Sequence, residues 1–155
     1  MRIQIVAVGK IKERFYADAV AEYVKRASRF APTSVVEVSD YRVKESEKSA
    51  PQLAMEKEAD AILPHLAGYV VVLDIAGRAM SSPEIARLLQ TGFEKEGTVT
   101  FVIGGSYGLS DRVKSKADLR LSFGPATFPH ALARVMIAEQ TYRGLTILNH
   151  LPYHK

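Results

Sequence analysis

From Tyr69 to Ile75 the chain reads Tyr-Val-Val-Val-Leu-Asp-Ile, an almost unbroken apolar run bounded by Gly68 and by Ala76-Gly77-Arg78. A run of this kind suits a central strand of a parallel sheet, whose two faces are both covered by helices. Thr98–Ile103 is a second such run, and Arg2–Val8, with Ile3, Ile5, Val6 and Val8, a third. Thr33–Ser39 is β-branched and alternating, and Leu119–Ser122 reads as a short last strand. Any fold this chain adopts has to cover both sides of a sheet.

The segments between these strands carry helical spacing. Tyr16, Val20, Tyr23, Val24 and Ala27 mark a first helix. Pro51 suits the first turn of a second, which points Leu53, Met55, Ala59, Ile62 and Leu63 inward and stops at Pro64. Ser82 is expected to cap a third, with Pro83 at its first position and Ile85, Leu88, Leu89 and Phe93 facing the core. Ser110 is expected to cap a short fourth, and Pro129–Arg143 reads as an amphipathic fifth. Strand and helix thus alternate five times, which implies an α/β fold with a mainly parallel sheet and helices on both faces. Residues 1–155 form one domain, with no repeat, low-complexity tract or linker. The apolar-poor stretch Asp40–Ala50 reads as a surface loop.

Composition excludes several function classes. With no cysteine, disulfides, thiol nucleophiles and the common structural zinc sites are ruled out. No apolar run is long enough for a membrane helix and no signal region opens the chain, so a cytoplasmic protein without a membrane partner is expected. The net charge of +4 hints at a polyanionic partner, its cations gathered loosely around Lys10–Arg14, Lys25–Arg29 and Arg112–Arg120.

In open α/β sheets, ligands bind outside the carboxyl ends of strands. Three such ends are conspicuous: Leu73-Asp74-Ile75-Ala76-Gly77, Ile103-Gly104-Gly105-Ser106-Tyr107-Gly108 and Ser122-Phe123-Gly124-Pro125-Ala126-Thr127-Phe128. Their glycines let a ligand approach the backbone, which points to a shared small-molecule pocket in the C-terminal half. The first strand is followed only by Gly9-Lys10, and no Gly-Lys-Ser/Thr closes the Gly104 loop, which argues against a dinucleotide and against ATP. His150 and His154 have metal-pair spacing, but Pro152 should break the helix that would present them, so no metal is expected. Glu139 and Arg143 are placed for an ordinary ion pair. The tail Asn149–Lys155 is apolar, aromatic and rich in proton-transfer groups, and is expected to dock rather than fray.

Together, Phe101–Ser110, Thr127-Phe128-Pro129-His130 with Arg134, Ala138–Arg143 and Asn149–Lys155 closely resemble the RlmH family of the SPOUT superfamily, and the resemblance covers essentially the whole chain. It implies an S-adenosylmethionine-dependent methyltransferase that acts on N3 of a pseudouridine in 23S rRNA of the assembled ribosome. It implies a C-terminal trefoil knot, which no local sequence rule would suggest. The cofactor would touch Leu73, Gly104 and the loop Phe123, Gly124, Pro125, Ala126, Thr127 and Phe128. A homodimer would form through the C-terminal helix, with each active site completed by the partner.

N3 of pseudouridine must lose its proton before, or as, it attacks the methyl group, so a base or a cation that stabilises the imidate would help. The matching candidates are His130, Glu139, Arg143, Tyr153, His154 and Lys155. Tyr153 and His154 would contact the nucleoside, Lys155 or Arg143 would supply positive charge, and Glu139 would orient Arg143. Some relatives end in Arg-Glu, whereas this chain ends in Lys155, which keeps the charge without a bidentate clamp. The alternatives are a related enzyme acting on another RNA nucleotide and an inactive ribosome-binding module.

Overall fold

The computed structural model describes residues 1–41 and 50–155. The order is β1 (Arg2–Val8), α1 (Arg14–Ala27), β2 (Thr33–Val38), α2 (Ala50–Ile62) with a 3-10 turn over Leu63–His65, β3 (Tyr69–Ala79), α3 (Ser82–Glu96), β4 (Thr98–Ile103), α4 (Asp111–Lys114), β5 (Leu119–Ser122) and α5 (His130–Leu148). The five strands form one sheet in the order β2-β1-β4-β3-β5, and every pairing is parallel. The expected α/β architecture is present. Most of the surface loop expected over Asp40–Ala50 falls on residues 42–49, which lie outside the described residues.

Alternation along the strands feeds two cores. Ile3, Ile5, Val99, Phe101 and Ile103 point to one face, where Val20 of α1, Leu88 and Leu89 of α3, and Ile137 and Leu145 of α5 cover them. Val6, Val8, Val70, Val72 and Val102 point to the other, under Ala59 and Ile62 of α2 and Val113 of α4. Covering both faces is what the apolar runs require. Thr100 breaks the apolar alternation of β4 and satisfies its buried hydroxyl by donating to the Ala67 carbonyl at 2.7 Å.

β3 is an interior strand, as its apolar run requires, between β4 and β5. Several other expectations change in detail. Ala76-Gly77-Arg78 is not an exit loop: β3 bulges after Leu73 and pairs with β5 again at Arg78 and Ala79. Gly77 makes this possible, because a Cβ there would lie 2.7 Å from the Arg120 backbone. The cap of α3 is Ser81, which accepts from the Glu84 N–H while Glu84 accepts from the Ser81 N–H at 2.7 Å. Ser82 instead donates to Gln140 on α5 at 2.7 Å. Ser110 precedes α4 as expected but makes no capping bond. On α2, Ala59 and Ile62 face inward as expected, whereas Leu53 is exposed and Ala54 and Glu58 are buried. α5 runs on past Arg143 to Leu148. It lies close against α3, where a Cβ at Gly144 would be 2.8 Å from Leu89 Cδ1.

Candidate functional site

Because β3 lies between β4 and β5, the carboxyl ends of these three strands are neighbours. They open into one cleft lined by Leu73, Asp74, Ile75, Ile103, Gly104, Gly105, Gly108, Phe123, Gly124, Ala126, Thr127, Phe128, His130 and Ala133. All three strand-end loops singled out in the sequence therefore meet, and Leu73, Gly104 and five of the six residues Phe123–Phe128 form its wall. Pro125 is exposed and lies outside the lining.

The cleft is held by backbone. Gly124 sits at φ 102, a left-handed conformation that disfavours any side chain, and its N–H donates to Ser122 Oγ at 3.0 Å. Ser122 in turn donates to the Ile75 carbonyl at 3.0 Å, tying the last loop to β3. At Gly104 a Cβ would lie 2.8 Å from the Gly108 backbone, so the two limbs of the β4 loop can close only around glycine. Among the described residues no intramolecular hydrogen bond engages the backbone N–H groups of Ala126, Thr127 or Phe128. Apolar walls with free amide donors suit a flat heterocycle with polar edges. The cleft also holds a buried carboxylate that sequence reasoning passed over as a functional group. Asp74 accepts from the Ala76 N–H at 3.1 Å, with Lys114 Nζ at 3.5 Å and an Arg120 nitrogen at 3.9 Å from its other oxygen. An acid inside a run of valines was its available signal.

The remaining candidates gather elsewhere. α5 turns its first residue, His130, into the cleft; Glu139 lies nine residues on, about 13 Å along the helix at ~1.5 Å per residue. Glu139 Oε1 accepts from Arg143 Nε at 2.9 Å, from a second Arg143 nitrogen at 2.6 Å and from the Tyr153 hydroxyl at 3.1 Å. Its Oε2 accepts from Gln140 at 2.8 Å. The ion pair read from the sequence is thus the centre of a larger knot of bonds. The tail docks on it: the Tyr153 ring packs 4.6 Å from Tyr142, and the Arg143 guanidinium lies 4.6 Å over the Tyr153 ring. Arg143 also reaches His154 Nδ1 at 3.3 Å. Burial and the bond to Glu139 push the Tyr153 phenol up to about 12. Lys155 is exposed and has no ion pair among the described residues. His150, at φ 56, ends the helix, so it and His154 share no helical face.

Two further buried charges frame the cleft. Arg134 donates to Glu37 at 2.6 Å and to the Gly9 carbonyl at 3.0 Å, clamping α5 to the carboxyl ends of β1 and β2. Glu58 lies under the β4 loop and accepts from the Tyr41 N–H at 3.3 Å; burial pushes its carboxyl above the usual range. Its place among the inward positions of α2, one turn before Ile62, was the signal. No three His, Asp or Glu side chains among the described residues converge as metal ligands, and no helix there is long and apolar enough to cross a membrane.

Comparison with known proteins follows this geometry. The sequence family described as predicted SPOUT methyltransferase matches residues 1–154. The ribosomal RNA large subunit methyltransferase H of Alkaliphilus oremlandii is 42% identical over 159 aligned positions that cover 100% of both chains. The protein of the same name from Streptococcus pneumoniae is 43% identical over 159 positions, again with 100% of both covered. The structure of a probable methyltransferase from Bordetella pertussis superposes with a TM-score of 0.56 at 15% identity, covering 93% of this chain and 94% of that one. A probable methylase family protein of Haemophilus influenzae gives a TM-score of 0.56 at 15% identity, covering 99% of this chain and 70% of that one. These two likenesses concern the fold alone.

Proposed function

The chain belongs to the SPOUT methyltransferase family, and from that premise we propose that it transfers a methyl group from S-adenosylmethionine to N3 of a pseudouridine in 23S rRNA of the ribosome. The observation that carries this reading is the convergence of Leu73, Gly104 and the Phe123–Phe128 loop on one cleft. The relatives that match over their whole length carry the name of a large-subunit ribosomal RNA methyltransferase, which supports the substrate class. A ribosomal substrate supports a cytoplasmic location.

Leu73, Ile103, Phe123 and Phe128 would flank the cofactor, and the free amides of residues 126–128 would bind its polar edge. When bound it supplies an electrophilic sulfonium methyl group. The chain's own work is to hold the nucleoside in line and take the N3 proton. Of the two titratable side chains lining the cleft, Asp74 is engaged by Lys114 and Arg120, which leaves the His130 imidazole to accept that proton. Glu139 already receives four hydrogen bonds, and Tyr153 stays a phenol, so neither serves as base. Arg143 can only donate, so the nitrogen of His154 that faces it accepts and Nε2 carries the proton of the neutral ring. His154 thereby offers an N–H to a base carbonyl, beside the charges of Arg143 and Lys155.

His130 and this tail lie at opposite ends of one helix, so a single subunit does not bring them together. A homodimer formed along α5 would set one subunit's tail at its partner's cleft. α5 is apolar on both sides: Ala133, Ile137 and Leu145 are buried, while Leu132, Met136 and Ile147 remain half-exposed. A helix apolar all round is normally covered all round. The knotted passage of the C-terminal segment belongs to the same reading.

Calorimetry with S-adenosylmethionine, together with nucleoside mass spectrometry of rRNA from a strain lacking the protein, tests the proposal. Binding at micromolar ligand and loss of 3-methylpseudouridine are expected. Persistence of that nucleoside refutes the assignment, and loss of a different methylated nucleoside moves it to another RNA position.

A further inference from the structure

His130 lines three depressions at once. The first is the donor cleft; the second lies between Tyr41 and the Gly105–Gly108 turn; the third, of about 770 Å³, runs along the Gly9–Glu13 loop. The second and third also share Asp40 and Ser106, so they form one groove that leads from Lys10 and Lys12 past His130 to the cleft.

Its far wall is closely packed. The Gly108 N–H donates to the Gly105 carbonyl at 3.1 Å and closes a tight turn, and Gly105 backs onto Glu58 so closely that a Cβ would be 3.0 Å from its carboxylate. This turn holds Tyr107 up into solvent with 49% of its surface exposed. Tyr41 opposite is also exposed. Among the described residues, two tyrosines with accessible rings thus line the groove.

The charges along the groove are unequal in availability. Lys10 and Lys12 are exposed and have no ion pair among the described residues. Glu37 is taken by Arg134, and Glu58 is held toward its neutral form by burial. The remaining carboxylates, Glu13 and Asp40, match the exocyclic amino groups of bases and disfavour indiscriminate polyanion binding.

We propose that this groove carries the RNA strand that delivers the target base, with Lys10 and Lys12 on backbone phosphates and Tyr107 and Tyr41 stacked on unpaired bases beside it. The inference rests on the methyl-transfer reading for its substrate and goes beyond it in assigning the surface. Aromatic platforms flanked by lysines are a general way to hold single-stranded nucleic acid.

The test uses the full chain and a short fluorescein-labelled RNA stem-loop with an unpaired loop, its binding read by anisotropy across a salt series. Tyr107→Ala should weaken binding about 5- to 100-fold, whereas Tyr107→Phe should bind as the parent does. Replacing both Lys10 and Lys12 by Ala should lower the slope of log K against log salt by about 1.4, from ~0.7 per phosphate contact on a single strand. Calorimetric affinity for S-adenosylmethionine should be unchanged in all three. Unaltered RNA binding in Tyr107→Ala and the double variant would overturn the proposal, as would a loss of donor affinity in Tyr107→Ala. If the parent binds RNA with these dependences yet methylates no ribosome, the groove stands and the methyl-transfer reading falls.

Discussion

The two ends of α5 solve the same problem, placing reactive groups, by opposite means. At the His130 end the cleft is shaped by backbone: Gly104 against Gly108, Gly124 at positive φ, and loop amides with no partner among the described residues. At the other end the tail is held by side chains, with one carboxylate gathering Arg143, Gln140 and Tyr153. A backbone-built cleft presents donors to a bound molecule but allows no added atoms. A side-chain network is engaged within itself and leaves His154 and Lys155 exposed at its rim. The first arrangement suits a receptor for a small molecule, the second a preformed surface for a larger one.

The contrast breaks most visibly at His130. If that imidazole takes the N3 proton, His130→Gln should lower the rate of methyl transfer at saturating donor by about 100-fold or more. A rate close to the parent's would show that another group takes the proton.

Gly104→Ala comes next. The added methyl group meets backbone, which cannot rotate away, and overpacking of this kind costs about 1–3 kcal/mol. Donor affinity should fall about tenfold to a hundredfold at ~1.4 kcal/mol per decade, while fluorescence from the Tyr142–Tyr153 cluster at the other end stays as in the parent. Normal donor binding in this variant would mean that the β4 loop gives way and that the cleft is softer than its glycines suggest.

What could be read beforehand follows from the range of the physics. Strand runs and helix periods are local, so the five strands and the order of elements were legible, and the three glycine-bearing strand ends marked the cleft. The ends of elements were less so. Ser81 and Ser82 are equally good caps on paper, and only the position of Glu84 three residues after Ser81 decides between them. The bulge that returns Arg78 and Ala79 to β5 depends on a partner strand more than forty residues away. Glu58 and Asp74 look like solvated charges until the surrounding apolar faces bury them. In the tail, residue types were legible and their wiring was not, since the Glu139–Tyr153 bond joins a helix to a segment beyond its end.

That wiring yields the smallest expected effect. Tyr153→Phe removes one hydrogen bond to a charged acceptor but keeps the ring against Tyr142 and Arg143, so about 1.5–3 kcal/mol of local attachment is at stake. Most of the rate should survive, because His154 and Lys155 are still presented. The phenol's folded value, pushed up to about 12, lies above its unfolded one. The attachment is therefore complete below pH ~10 and is lost as pH rises through about 12, when a phenolate would face the Glu139 carboxylate. In the parent, tail release followed by tyrosinate absorbance and by proteolysis of the last residues should begin only in that alkaline window. In Tyr153→Phe the alkaline step should vanish, and proteolysis of the tail below pH ~9 should be faster than in the parent and independent of pH. A step near neutrality in the parent would mean that burial and the Glu139 carboxylate do not hold the phenol protonated, and that Tyr153 is available as a base after all.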